Sequence, residues 1–366
     1  MLIDIIAGAR PNFIKIMPII RAIDANSKQG GSLRYRLVHT GQHYDESMSG
    51  SFFSQLGLPP PDVNLEVGSG SQAEQTAAIM VRYENLLRKA PSALCLVVGD
   101  VTSTMACAIV AKKLCIPVAH VESGIRSGDM TMPEEINRIV TDAITDWFFT
   151  TSEVANENLR SAGVGCERIF FVGNTMIDTL FANMERLQEP DFFSSADLRK
   201  GDYFVTTLHR PSNVDNPDKL AHTLGAIADA VRGLPIVFPV HPRTLKVINK
   251  IGDLPGNFYV LGPQPYLEFI WLIKNAKAVI TDSGGISEET TVMSVPCLTL
   301  RDTTERPETV TVGSNVLVGT NPAALKPALK GLFEGEWRLG GIPDKWDGNA
   351  GERIISIIEK KMRERA

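Results

Sequence analysis

Short apolar runs alternate with segments of helical period along nearly the whole chain, the pattern of parallel sheets whose strands are joined by crossover helices. In the first half the runs fall near residues 2–7, 34–39, 94–98, 117–121, 147–151 and 168–172. In the second half they fall near 203–208, 235–240, 257–261, 278–281, 297–300 and 315–318. Between them the spacing predicts helices, among them 101–114 and 133–146. In the latter, Ile136, Ile139, Val140, Ala143 and Ile144 share one face, which leaves Glu134, Glu135 and Arg138 near an exposed N-terminal end. The halves repeat one scheme, so the expected fold class is α/β with two doubly wound domains, 1–174 and 175–350. The boundary lies within 174–200, where the pattern weakens through Leu187-Gln188-Glu189-Pro190-Asp191. A final helix, 351–366, is free to pack on either domain. Two sheets facing each other across a cleft would place both sets of strand-end loops around one ligand, and such clefts open and close.

Composition supports two domains: 366 residues, 43% of them hydrophobic, exceed one ordinary core. A formal net charge of -5 without any polybasic run offers DNA or RNA no footprint, so no nucleic acid partner is expected. Lys360, Lys361, Arg363 and Arg365 read as a solvated helix end rather than a membrane patch. The chain runs directly into a strand at Leu2, and no stretch approaches the roughly 20 apolar residues of a membrane span. We therefore expect a cytoplasmic protein with no membrane partner. Cysteines 95, 107, 115, 166 and 297 include no Cys-x-x-Cys pair, which argues against disulfides and a cysteine zinc site.

The segment Thr281-Asp282-Ser283-Gly284-Gly285-Ile286-Ser287-Glu288-Glu289 sets a Ser-Gly-Gly turn between an apolar strand and a helix start. Such a turn suits a phosphate: glycine lets backbone N–H groups approach an anion, the serine adds a donor, and the helix N-terminus adds partial positive charge. Glu289 lies one turn on, within reach of a sugar or ribose hydroxyl. The plainer alternative is a strand-to-helix turn with Ser283 as N-cap. The polar run Arg301-Asp302-Thr303-Thr304-Glu305-Arg306-Pro307-Glu308 follows the next strand, and loops at strand carboxyl ends are where open α/β sheets bind ligands.

Gly8-Ala9-Arg10-Pro11-Asn12-Phe13-Ile14-Lys15 brings two cations to the end of the first strand, suited to an anionic ligand such as a diphosphate. Asp100 after Gly99, Glu122 in His120-Val121-Glu122-Ser123-Gly124, and Glu134 and Glu135 after Pro133 set acids at three strand ends or helix starts. Asp100 also reads as a helix cap, and first-turn glutamates commonly serve the helix dipole alone. If they converge, several carboxylates can supply acid and base partners at neutral pH. His209-Arg210 and His241-Pro242-Arg243 follow strands in the second half and favour a ligand role beside an anion. His39 reads as structural. No histidine or acid spacing indicates a metal site.

Taken together, these blocks resemble the non-hydrolysing UDP-N-acetylglucosamine 2-epimerases. The resemblance rests on Gly8-x-Arg10-Pro11-x-x-Ile14-Lys15, Thr40-Gly41-Gln42-His43-Tyr44-Asp45, Gly99-Asp100, His120-Val121-Glu122-x-Gly124-x-Arg126, Pro133-Glu134-Glu135-x-Asn137-Arg138, His209-Arg210, His241-Pro242 and the blocks 281–289 and 301–308. It implies two Rossmann-like domains of glycosyltransferase-B architecture, and interconversion of UDP-N-acetylglucosamine and UDP-N-acetylmannosamine through elimination of UDP to 2-acetamidoglucal, without a redox cofactor. By the same resemblance Asp100, Glu122, Glu134 and His209 form the catalytic polar set. Arg10, Lys15, His209, Arg210 and His241 stabilise the diphosphate charge. Ser283, Gly284 and Gly285 hold phosphate, Glu289 the ribose and Phe269 the uracil region, Arg138 orders the acids or the sugar, and Arg306 joins the substrate-binding residues. Gln42 and His43 match a segment at which many members bind an activating second substrate, although Asp45 stands where regulated members often carry glutamine. Asn12 replaces an acid and Ser123 an alanine of the usual pattern. The resemblance also implies a homodimer and a place in bacterial surface polysaccharide precursor supply.

Four alternatives remain at the level of sequence. Relatives with overlapping motifs act on UDP-2,3-diacetamido uronic acids. A hydrolysing 2-epimerase would let water intercept the intermediate. A glycosyltransferase of the same architecture leaves the acids at 100, 122 and 134 without a role, and a nucleotide-sugar sensor leaves the whole acid set without one.

Overall fold

The computed structural model describes residues 1–41 and 55–365, with Arg10 described by its backbone alone. Gln42 and His43 lie outside the described residues. The first sheet has seven parallel strands, β1 (Leu2–Ala7), β2 (Arg34–His39), β3 (Val63–Asn64), β4 (Leu94–Val98), β5 (Val118–Val121), β6 (Trp147–Thr150) and β7 (Ile169–Phe171), ordered β3-β2-β1-β4-β5-β6-β7. The second has six, β8 (Phe204–Thr207), β9 (Ile236–Pro239), β10 (Phe258–Leu261), β11 (Ala278–Thr281), β12 (Cys297–Thr299) and β13 (Asn315–Leu317), ordered β10-β9-β8-β11-β12-β13 and also parallel. The α/β class with two doubly wound sheets stands as expected. Helices on both faces bury parallel strands completely, which is why β4, Leu-Cys-Leu-Val-Val, reads as an unbroken apolar run. β3 is only two residues long and left no pattern to detect.

Strand order reverses between β1 and β4 in one sheet and between β8 and β11 in the other. At such a switch point the connecting chains diverge to opposite faces, opening a crevice at the strand carboxyl ends. The residues there are Gly8 to Arg10 with Gly99 and Asp100, and Leu208 to Arg210 with Asp282 to Gly284.

The chain forms two compact units, Met1–Ala182 with Asp344–Ala366, and Asn183–Pro343. The helix beginning at Thr175 stays with the first unit, where the Thr179 hydroxyl donates to the Ile14 carbonyl (2.6 Å). The segment from Asp344 returns to the same unit. Trp346 is buried there and its indole N–H donates to the Thr151 carbonyl (3.0 Å). The helix Ala350–Arg365 then lies along the helix Arg10–Lys28, so closely that a Cβ on Gly351 would stand 2.7 Å from the Pro18 carbonyl oxygen. Among the described residues no helix is long and apolar enough to cross a membrane.

The helix Pro133–Ile144 overturns its amphipathic reading. Glu135, Asn137, Arg138, Thr141 and Asp142 are buried, whereas Ile136 and Ile139 are 43% and 38% exposed. Its polar face is the one with hydrogen-bonding partners inside the unit, and buried polar groups so supplied hold that face inward, while only the far end of the apolar stripe, Ile144, packs against the core.

Candidate functional site

At the first switch point the turn after β1 is closed by Asn12. Its Oδ1 accepts from the N–H groups of Gly8 (3.2 Å) and Ala9 (3.0 Å), and its Nδ2 donates to the Val98 carbonyl (3.0 Å) at the end of β4. The amide therefore ties two adjacent strand ends together, and a carboxylate in its place could not make the second bond. Arg10 opens the helix that follows, and one turn on Lys15 forms an ion pair with Glu122. Glu122 is buried and has φ +69°, a left-handed conformation that a side chain with a Cβ adopts only when its surroundings impose it. Gly99 (φ +67°) lets the β4 turn pass close by: a Cβ there would stand 3.3 Å from the Glu122 carboxylate and 3.5 Å from Lys15 Nζ.

Asp100 accepts from Arg138 (2.5 Å), whose other arm donates to Glu135 (2.9 Å), and the Asp100 carbonyl accepts from Asn137 (2.8 Å). Glu135 also accepts from the N–H groups of Ser127 (2.9 Å) and Gly128 (3.1 Å). Burial alone would raise its carboxyl, but the Ser127, Arg138 and Gly128 bonds outweigh burial and hold it low. Glu134 is exposed in the first turn of its helix, so of the two adjacent glutamates it is Glu135 that enters the network. Behind this layer lies buried His120. Its Nδ1 is 2.8 Å from Asp142 and its Nε2 is 2.8 Å from the Gly99 carbonyl. Asp142 further accepts from Gly124 N–H (3.1 Å) and pairs with Arg126 (2.7 Å); burial pushes its carboxyl up, but His120 first and Arg126 after it outweigh burial and hold it low.

The second switch point is organised around Asp282, which is wholly buried at the end of β11. It accepts from the N–H groups of His209 (3.1 Å to each oxygen) and Arg210 (3.0 Å) and from Asn213 Nδ2 (3.0 Å). His209 Nδ1 lies 2.6 Å from the same carboxylate while the ring is 56% exposed. Next along the chain, the Ser283 N–H donates to Thr281 Oγ1 (2.9 Å), and Ser283 occupies the N-cap position of the helix Gly284–Val292 without a side-chain capping bond. Gly284 and Gly285 are only partly buried. A Cβ on Gly284 would stand 3.9 Å from both Arg301 and Glu305, ordinary contact distance, which places this helix start beside a guanidinium. Arg301 grips Glu305 with two bonds (2.6 and 2.8 Å), and Arg210 reaches the same carboxylate at 3.4 Å. Burial opposes ionisation of Glu305, yet chiefly through Arg301 its carboxyl falls to about 2.

Glu289 behaves in the opposite way. Buried, it accepts from the Tyr266 hydroxyl (3.2 Å). Burial, opposed by the Tyr266 bond and reinforced by the Glu288 carboxylate, pushes it up to about 8. Glu288 is itself paired with buried Arg306 (2.5 Å), which caps the helix Pro307–Thr311. Phe269 lies half-buried in the helix Tyr266–Lys274. His241 N-caps the helix Pro242–Ile251, its Nδ1 accepting from Arg243 N–H (3.3 Å), with the ring exposed. His39 is buried and stacks on Phe13 with ring centres 5.4 Å apart.

Each unit thus carries one part of a chemistry. The first gathers Asp100, Glu122, Lys15 and Arg138, and the second combines His209, Arg210, Ser283 and the open helix start. Sequence reasoning counted Glu135 among the acids but gave Asn12, His120, Asp142, Tyr266 and Asp282 no task of their own; Asn12, His120, Glu135, Asp142 and Asp282 brace these groups, and Tyr266 braces Glu289. Their one sequence signal is a polar residue inside or directly beside an apolar run.

A family model described as UDP-N-acetylglucosamine 2-epimerase matches residues 25–359. The chain is 41% identical over 373 residues to a UDP-N-acetylglucosamine 2-epimerase of Methanocaldococcus jannaschii, covering 98% of this chain and 99% of that protein. It is also 41% identical over 317 residues to a UDP-2,3-diacetamido-2,3-dideoxy-D-glucuronate 2-epimerase of Pseudomonas aeruginosa, covering 86% and 87%. In structure it is similar to the Methanocaldococcus jannaschii UDP-GlcNAc 2-epimerase in complex with UDP-GlcNAc and UDP, with a TM-score of 0.88 at 40% identity over 98% of this chain and 100% of that one.

Proposed function

The chain belongs to the UDP-N-acetylglucosamine 2-epimerase family, and from that premise we propose that it interconverts UDP-N-acetylglucosamine and UDP-N-acetylmannosamine without hydrolysis. The observation that carries the reading is the pairing of an acid with a cation at the ends of the adjacent strands β4 and β5, Asp100 with Arg138 and Glu122 with Lys15. Loss of the C2 proton and cleavage of the C1–O bond to UDP leave a C1–C2 double bond, giving 2-acetamidoglucal and UDP. Return of UDP oxygen to C1 and of a proton to the other face of C2 completes the inversion. The sum involves no net oxidation, so the chemistry asks for no redox cofactor.

In this reading Asp100, Glu122, Glu134 and His209 exchange and steer protons. Arg10, Lys15, Arg210 and His241 offset the charge that grows on the departing diphosphate. Ser283, Gly284 and Gly285 receive phosphate at the helix start, Glu289 the ribose and Phe269 the uracil, Arg306 joins the substrate-binding residues, and Arg138 orders the acids or the sugar. Gln42 and His43 are the place for a second, activating substrate molecule. The enzyme works as a cytoplasmic homodimer and supplies precursors of bacterial surface polysaccharide.

A second reading has its own support in the equal identity to the Pseudomonas aeruginosa relative: 2-epimerisation of a UDP-2,3-diacetamido uronic acid. Proton NMR of the protein with UDP-N-acetylglucosamine in deuterium oxide tests both. We expect deuterium at C2 together with signals of UDP-N-acetylmannosamine. Free N-acetylmannosamine with UDP would identify a hydrolysing enzyme. No exchange, with turnover of the diacetamido uronic acid instead, would replace the first reading by the second.

A further inference from the structure

A buried carboxylate that receives three N–H donors and an imidazole, all from one neighbouring loop, is more than a brace for that loop. Asp282 accepts from the backbone of His209 and Arg210, from Asn213 Nδ2 and from His209 Nδ1 at 2.6 Å. Although burial opposes it, these contacts, His209 foremost, hold the Asp282 carboxyl below its ordinary range, so the group is an acceptor only. The proton of the short contact then belongs to His209 Nδ1. In a neutral imidazole this leaves Nε2 as the bare nitrogen, on a ring that is more exposed than buried.

We propose that Asp282 is a positioning residue for His209: it fixes the Nδ1–H tautomer, aims Nε2 outward, and locks that ring in register with the phosphate turn that Asp282 itself begins. The register follows from covalent placement. Asp282 is followed directly by Ser283 and Gly284, and Arg210 returns a bond from its side chain to the Asp282 carbonyl (3.3 Å). The Thr207 and Thr281 hydroxyls, 2.6 Å apart, cross-tie the two strands just before. A proton-handling nitrogen and an anion-binding turn therefore share one rigid support, so that a phosphate seated on the turn meets Nε2 in a fixed relation. No motif of the sequence assigned Asp282 this task, and its part in turnover rests on the proposed epimerase reading.

The first test uses no substrate. In the full-length protein labelled with ¹⁵N-histidine, with His209 identified from the spectrum of H209Q, two-bond ¹H–¹⁵N correlations report the tautomer. We expect protonated Nδ1 and bare Nε2, and an Nε2–H tautomer overturns the proposal even if the protein never turns over a UDP-sugar. The second test is kinetic. D282N should lower kcat by about tenfold or more, the scale on which outer partners of a functional imidazole act, with UDP affinity changed by less than about threefold. In the D282N/H209Q double variant the loss should not exceed that of H209Q alone, because Asp282 acts through His209. Additive losses, or a D282N defect confined to UDP affinity, contradict it. Should D282N fail to fold, the tautomer of the unmodified protein decides alone.

Discussion

Glu289 shows how far one side chain can be moved by its surroundings. Its carboxyl lies at about 8, lifted by burial and by the neighbouring Glu288, while in the unfolded chain it titrates at an ordinary glutamate value. The folded state therefore keeps a proton that the unfolded chain releases. By linkage the associated stability is fully present below the unfolded value and is lost as pH rises toward 8. Replacing Glu289 by Gln removes the titration, so the melting temperature of E289Q relative to the parent should climb between about pH 5 and pH 8. Calorimetry across that range checks it, and a difference that stays flat with pH would mean that the carboxyl ionises normally. The lowered carboxyls of Asp142, Asp282 and Glu305 carry the opposite sign: their stabilisation holds above the ordinary carboxylate range and is lost as pH falls through their depressed values. None of this was legible in the residue types. Glu288 and Glu289 are adjacent in sequence, and only the fold gives one of them an arginine and the other a tyrosine.

At the level of elements, strands were legible and one helix face was not. A strand covered on both sides must be apolar throughout, so β4 and β11 announce themselves at their true bounds. The helix Pro133–Ile144 has a regular apolar stripe as well, yet it buries the other side because Arg138 and Asp142 meet Asp100, Glu135, His120 and Arg126, most of them distant in sequence. Periodicity records which side chains share a face, but not which face finds partners. The candidate acids were legible as strand-end residues. The cations were legible too, but not which acid each would pair with, because pairs such as Lys15 with Glu122 join turns separated by several elements. It follows that Ile139→Lys, on the exposed stripe, should leave the unfolding free energy in urea within about 0.5 kcal/mol of the parent. A larger loss that grows as protein concentration rises would show that another surface covers the stripe in solution.

The molecule as a whole is two units, one of which is built from both ends of the described chain. Trp346 anchors the returning segment in the first unit, and Trp346→Ala should cost about 3–5 kcal/mol, the range for emptying a fully buried tryptophan site. Hydrogen exchange would place that loss: amides of β6, β7 and the helix Arg10–Lys28 should exchange faster while those of β8 and β11 keep their protection. Equal loss in both sheets would mean that the units unfold together. The same return has a consequence for how the protein is made. Synthesis normally lets the domain nearest the amino end finish first. Here residues 183–343 are complete before the segment from Asp344 has been translated, so the second unit can fold while the first still lacks the helix that covers Arg10–Lys28. During that interval the growing chain carries an unfinished apolar surface on the helix Arg10–Lys28, which stays open until the segment from Asp344 has been read.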